Sequence, residues 1–256
     1  MGISLKTPDQ IERMRAAGRV VRRVLDRCQE VCQPGVTTQT IDDEAQKIID
    51  EAGAKGLFRG YPGPTPFPAT LCISVNEEVV HGIAGDRVIE DGDIVGVDCG
   101  VNLDGWCGDS ATTILVGNVK PEVKALCEAT RHVLQIAIEN IGPGQSWSKV
   151  AGLMQGYAES KGYGVVRDFV GHGIGRKLHE DPKVPNFVNN QLLRNDFKLE
   201  VGMVLAVEPM CNLGVADVAT LADGWTVVTA DRKPAAHYEH TIAVTEQGAD
   251  VLTDGR

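Results

Sequence analysis

The sequence has no surplus of positive charge, no apolar run long enough to span a bilayer and no clustered cysteines, and each absence removes a class of function. With 25 Lys and Arg against 35 Asp and Glu in 256 residues, the formal charge is −10. That excludes a general DNA-binding or anionic-membrane protein, because both need basic surface. No apolar stretch approaches the ~20 residues that cross a bilayer. The seven cysteines, at 28, 32, 72, 99, 107, 127 and 211, form no CxxC pair and read as free thiols of a reducing compartment. The N-terminal MGISLKTPDQ lacks an apolar signal core, so a cytoplasmic location is expected. HExxH, GxSxG, P-loop and GxGxxG motifs are all missing, which removes the commonest hydrolase and nucleotide-binding readings.

What is present is a repeated grammar. Thr7-Pro8-Asp9-Gln10 combines a capping box with a proline at the first helical position, and Ile11, Met14, Gly18, Val21, Leu25, Cys28 and Cys32 follow at gaps of three and four. The spacing predicts a helix ending at Pro34-Gly35. Cys28 and Cys32 stand at a metal-pair spacing, but their apolar stripe marks them as core. A second helix is expected from Thr38 to Gly53. Shifted by 109 positions, Arg22, Val24, Leu25, Pro34, Gly35 and Gly53 meet the identical residues Arg131, Val133, Leu134, Pro143, Gly144 and Gly162. Pro121 opens a third helix and Ser146 is expected to cap a fourth. Strand-like sequence follows each pair, around 70–116, then 164–170 and 203–244. The expected fold is therefore α+β, a single domain over 1–256. Two pseudo-symmetric helix-helix-strand halves, about 7–116 and 119–253, surround a curved, largely antiparallel sheet.

Within the first half, two β-rich arms flank Asp104-Gly105, the signature of a two-residue type I′ hairpin. Paired positions then sum to 209, so Asp98 lies opposite Ala111 while Asp109 stands two residues along on the same strand. Both carboxylates point to one face, roughly 7–8 Å apart at the backbone. Two aspartates so placed repel each other and raise each other's pKa unless a cation sits between them. A divalent metal is the economical answer. Further candidate ligands are His172, flanked by glycines that let something approach its ring, Glu208 at the end of the apolar run 203–207, and Glu239 at the start of the run 239–244.

The ordered pattern Val97-Asp98, Gly108-Asp109-Ser110, Gly171-His172-Gly173-Ile174-Gly175, Val207-Glu208-Pro209-Met210 and Tyr238-Glu239-His240-Thr241 resembles methionine aminopeptidases of type I, which have the pita-bread fold. Asn76-Glu77-Glu78-Val79-Val80-His81-Gly82, His179-Glu180-Asp181-Pro182 and Asp223-Gly224-Trp225-Thr226 extend the likeness over nearly the whole chain. Gaps of 36 and 31 positions between His172, Glu208 and Glu239 leave no room for the type II insertion. No zinc-binding extension is expected before residue 7.

The resemblance implies two divalent metal ions, with Co, Mn or Fe(II) favoured by an oxygen-rich ligand set. Asp98 would chelate one ion, His172 and Glu208 the other, and Asp109 and Glu239 would bridge. Glu208 would shuttle a proton, and the catalytic His81 and His179 would hydrogen-bond the substrate. Phe67, Cys72, Leu178 and Trp225 would line the methionine slot. The implied reaction removes initiator methionine from nascent proteins with a small second residue, by a monomer with possible transient ribosome association. Gly2 makes the chain's own N-terminus, at Met1, a candidate substrate. Two features depart from the pattern: a longer proline-rich segment, 60–67, leaves open whether Tyr61 reaches the pocket, and Cys99-Gly100 lacks a threonine usual after Asp98. Proline dipeptidase-like enzymes and a non-catalytic pita-bread binding protein are the alternative readings.

Overall fold

The computed structural model describes residues 2–256, and Met1 lies outside them. Helix α1 (Pro8–Val31) begins with both halves of the expected capping box. Gln10 N–H donates to Thr7 Oγ1 at 3.4 Å, and Thr7 N–H donates to Gln10 Oε1 at 3.0 Å. Its buried stripe of Met14, Ala17, Val21, Val24, Leu25 and Cys28 places both Cys28 and Cys32 in the core, as their periodicity requires. Helix α2 (Thr38–Glu51) is capped by Thr37. Strands β1 (Lys55–Gly56), β2 (Cys72–Val75) and β3 (Glu78–Val80) lead to a long hairpin of β4 (Ile94–Leu103) and β5 (Trp106–Leu115).

The second helix pair is α3 (Pro121–Asn140) and α4 (Trp147–Ser160). Its turns match those of the first: Gly35 and Gly144 have φ of +92° and +82°, and Gly53 and Gly162 have +64° and +80°. These are left-handed positions that glycine occupies without a Cβ penalty. Ser146 occupies the N-cap position of α4, but its side chain makes no cap bond. Asp196, arriving from a distant loop, instead accepts from the Ser148 amide at 3.0 Å. The chain continues through β6 (Gly164–Val165), β7 (Gly171–Gly173), β8 (Glu180–Val184) and a short α5 (Asn190–Arg194). Strands β9 (Val204–Val207), β10 (Met210–Asn212), β11 (Val218–Thr220), β12 (Val227–Thr229), β13 (Ala235–His237), β14 (His240–Thr245) and β15 (Gly248–Val251) complete it. β8 and α5 carry no sequence periodicity long enough to announce them.

All the strand pairs among the described residues are antiparallel. The larger ladders are β1-β4-β2 with β5 on β4, and β15-β14-β9-β7-β8; two three-stranded ladders complete the set. Between β5 and the segment 237–241, hydroxyl groups replace much of a backbone ladder. Ser110 donates to Glu239 O at 2.5 Å, Thr113 to His237 O at 2.8 Å, and Thr241 to Asp109 O at 2.8 Å. The bonds of Ser110 and Thr241 join the two large ladders where the candidate ligands lie, and that of Thr113 ties β5 to β13. No helix among the described residues is long and apolar enough to cross a membrane.

Candidate metal centre and its cavity

The hairpin has the register that the Asp104-Gly105 turn requires. Both turn residues have positive φ, 51° and 80°, Leu103 pairs with Trp106, Asp98 faces Ala111 and Asp109 faces Gly100. On the other edge of β4, Cys72 is the ladder partner of Asp98, so the thiol and the carboxylate share a face. Asp109 is fixed through its backbone, its amide donating to Thr241 Oγ1 at 3.1 Å. Glu239 lies one residue before β14, and its amide donates to Ala111 O at 2.9 Å. His172 is central in β7, paired with Ala206 of β9. Glu208 follows directly on the end of β9, and Asn186 holds its carbonyl at 3.0 Å.

Those strands bring the five predicted ligands together. His172 Nε2 is 3.8 Å from Asp109 Oδ2 and 3.7 Å from Glu208 Oε1, and one ligand atom each from Asp109, His172 and Glu239 lie within 4.8 Å of one another. His172 Nδ1 is 3.0 Å from Gly173 O. A carbonyl can only accept, so Nδ1 carries the proton and the Nε2 lone pair faces the two carboxylates. Asp98 Oδ1, Asp109 Oδ1 and Glu239 Oε1 are buried without a hydrogen-bond partner, and among the described residues no Lys or Arg lines the cavity they face. Buried acceptors without partners are costly, and the group of Asp109, His172 and Glu239 is one that a divalent cation would satisfy.

Electrostatics without a cation shows the same strain. Burial pushes Asp109 up to about 7, and burial with the charge of Asp109 pushes Glu208 up to about 8. Asp98 and Glu239 are held well above the carboxylate range by burial, with Asp109 and Glu208 adding repulsion. Burial and the neighbouring His179 lower His172 to about 4, and the same two causes lower His81 to about 4. Both imidazoles are thus neutral at physiological pH.

A cavity of about 280 Å³ opens from these ligands. Its wall includes all four expected slot residues, Phe67, Cys72, Leu178 and Trp225, and both His81 and His179. Tyr61 also reaches it, its hydroxyl 2.8 Å from His179 Nδ1. His81 adopts φ +60° just after β3, and its ring meets those of Phe169 and Trp225 edge to face. Phe58, Val80, Phe169 and Val170 also line the cavity. Sequence reasoning misses Phe58, Phe169 and Val170, whose positions carry no motif, and Val80 stands in the Asn76–Gly82 motif without a role assigned to it. The glycines around His172 serve a different end from the one expected. A Cβ on Gly171 would stand 2.3 Å from Ala206 O, and one on Gly173 would stand 2.2 Å from Asp181 O. They admit the neighbouring backbones rather than a ligand.

The model of metallopeptidase family M24 matches residues 12–246. The chain belongs to this family. Over 251 residues the M24 chain is 45% identical to methionine aminopeptidase 1 of Bacillus subtilis, covering 98% of this chain and 99% of that one. Its fold matches the crystal structure of methionine aminopeptidase from Thermotoga maritima with a TM-score of 0.93 and 42% identity, over 98% of this chain and 99% of the other. An Xaa-Pro dipeptidase from Bacillus anthracis aligns with a TM-score of 0.78 at 24% identity, over 98% of this chain and 62% of that one. That likeness shows the fold alone. The M24 chain therefore has the pita-bread fold, and divalent-metal use accords with its family and its donor set.

Proposed function

We infer that the chain is a metal-dependent methionine aminopeptidase that hydrolyses the bond after an initiator methionine. The observation that carries this reading is the continuity of the carboxylate cluster with an apolar slot in one cavity of about 280 Å³. That volume suits one unbranched side chain beside the reacting amide. Full-length similarity to methionine aminopeptidases favours it over the proline dipeptidase and binding-protein readings. The unit is proposed as one catalytic domain, 1–256, working as a cytoplasmic monomer on nascent N-termini, with transient ribosome association.

Asp98, Asp109, His172, Glu208 and Glu239 are proposed to hold the metal, with two ions as the proposed count and Co, Mn or Fe(II) as the proposed kinds. When bound, the metal supplies Lewis acidity, making water a nucleophile near neutral pH and polarising the scissile carbonyl. Glu208 takes the proton released from water on a carboxylate oxygen and passes it to the departing amine. His81 and His179, neutral in their buried setting, donate N–H groups to the substrate amide and to the oxygen on which charge develops. Phe67, Cys72, Leu178 and Trp225 receive the methionine side chain, a burial worth roughly 1.5–3 kcal/mol. Crowding of the next residue against the histidines restricts it to small side chains.

The reading is tested with metal-stripped protein, each metal restored in turn, on Met-Gly-Met-Met and Met-Lys-Met-Met. Release of methionine from the glycine peptide only is expected. Equal cleavage of both peptides contradicts the small-residue preference, and no release with any metal contradicts the function.

A further inference from the structure

The proline-rich segment 60–67 is pinned beside the cavity at several points. Gly60 N–H donates to Phe67 O at 2.8 Å, Tyr61 N–H to Phe58 O at 2.8 Å, and Phe67 N–H to Tyr61 O at 3.0 Å. Both backbone groups of Tyr61 are thereby held. Three prolines, at 62, 64 and 66, restrict φ through the excursion. Its tip is seated on Trp225, whose indole N–H donates to Thr65 O at 3.0 Å. Gly63 lies so close to the indole that a Cβ would stand 2.3 Å from Trp225 Cζ2. At the far end, Arg59 Nη1 donates to Pro68 O at 2.8 Å.

What this loop delivers is one phenol. Tyr61 O–H is 2.8 Å from His179 Nδ1, and the two rings meet edge to face with centroids 5.6 Å apart. We propose that Tyr61 is a positioning residue whose hydroxyl donates to His179 Nδ1 and so fixes His179 as the Nε2–H tautomer. The direction of the bond follows from the partners: a phenol is the stronger donor, and an unprotonated imidazole nitrogen the stronger acceptor. A neutral imidazole carries one proton, so occupation of Nδ1 as acceptor leaves the N–H on Nε2, free to donate within the cavity. Without the hydroxyl, nothing else bonded to the His179 ring among the described residues selects between the tautomers. This inference rests on the proposed role of His179 as a donor to substrate. It extends that role by naming what sets the donor.

The test uses Tyr61→Phe, which keeps the ring packing and deletes only the hydroxyl. Histidine-labelled wild-type protein, loaded with a diamagnetic divalent ion, is expected to show by nitrogen NMR an unprotonated Nδ1 and a protonated Nε2 at His179. In Tyr61→Phe the Nδ1–H form should appear, and kcat on Met-Gly-Met-Met should fall roughly 5- to 50-fold with KM changed less than about 2-fold, as for a group whose effect is felt in the transition state. A wild-type His179 protonated on Nδ1, or an unchanged tautomer in Tyr61→Phe, overturns the inference. These NMR outcomes need no turnover, so they fail independently of the proposed function, which fails if no metal form of the wild type releases methionine.

Discussion

Gly108 of β5 meets Gly18 of α1 backbone to backbone: a Cβ on Gly108 would stand 2.8 Å from the Gly18 amide nitrogen and 3.0 Å from the Ala17 carbonyl carbon. The contact sets the height of α1 over the strand that carries Asp109, one residue further along. Because both obstructing atoms are backbone, no rotamer change relieves the clash, and the helix or the strand must move. Gly108→Ala is expected to destabilise the protein by roughly 1–3 kcal/mol, in the range of overpacked sites, and to weaken metal retention by shifting Asp109. Urea unfolding and metal analysis after dialysis check this, and a variant with wild-type stability would show that the two backbones have slack.

Metal removal should cost stability, and should cost more as the pH rises. In the metal-free chain Asp109 and Glu208 are raised to about 7 and about 8, above the unfolded value of roughly 4. The folded state then binds more protons than the unfolded state until the pH passes those values, so stability falls as pH rises towards 8. Histidines lowered to about 4, such as His81, His172 and His240, act oppositely, since the unfolded state binds more protons there, but only below roughly pH 6.5. The clear window is therefore roughly pH 6.5–8.5, where the melting temperature of chelated protein should drop. Restored metal should raise it throughout and flatten the decline. A chelated protein that gains stability across this window would contradict the charge assignment.

The hairpin and the placement of the two carboxylates it carries were legible in the sequence because a two-residue turn sets register, and register sets which face each residue takes. Asp98 and Asp109 follow from Asp104-Gly105 alone. The helix pairs were legible from Thr7, Pro121 and the glycines at 35, 53, 144 and 162, whose local chemistry decides where a helix begins or ends. What could not be read locally is the joining of β5 to the segment 237–241. There Ser110, Thr113 and Thr241 bond to backbone more than 120 positions away, with no periodicity to announce it. Ser146 misled for the same reason, since the bond that satisfies the start of α4 comes from Asp196. The glycines flanking His172 suggest open space in the sequence, but a missing side chain equally serves a closely packed neighbour, here the carbonyls of Ala206 and Asp181.

Asp42 shows how α2 supports the cavity wall. Fully buried, it accepts from the amides of Thr70 at 2.9 Å and Leu71 at 2.7 Å, directly before Cys72. Arg59 pairs with it at 3.2 Å. Asp42→Ala strands two amides and is expected to cost about 2–6 kcal/mol, by the penalty of roughly 1–3 kcal/mol for each unsatisfied group. It should also raise KM by loosening the segment that carries Cys72, with metal content unchanged. Chemical denaturation and steady-state kinetics check both parts, and an unaltered KM would confine Asp42 to a stabilising role.

The proposed metal ligands and the groups proposed to act on substrate should separate cleanly under mutation. Asp109 is buried against Glu239 and His172 with an unpartnered oxygen, so Asp109→Asn replaces an acceptor with an amide donor aimed at a cation. Metal and activity should be lost together. His81 sits across the cavity, held by ring contacts with Phe169 and Trp225 rather than by the carboxylates. His81→Ala should therefore retain metal while kcat falls roughly 10²–10³-fold, as when a single transition-state donor is removed. Because His81 has φ +60°, alanine adds backbone strain there; His81→Asn, a residue that adopts positive φ more readily, serves as the second variant and should also retain metal. Metal content per chain, measured beside kcat for all three variants, distinguishes the roles. Loss of metal from both His81 variants would place that histidine among the ligands.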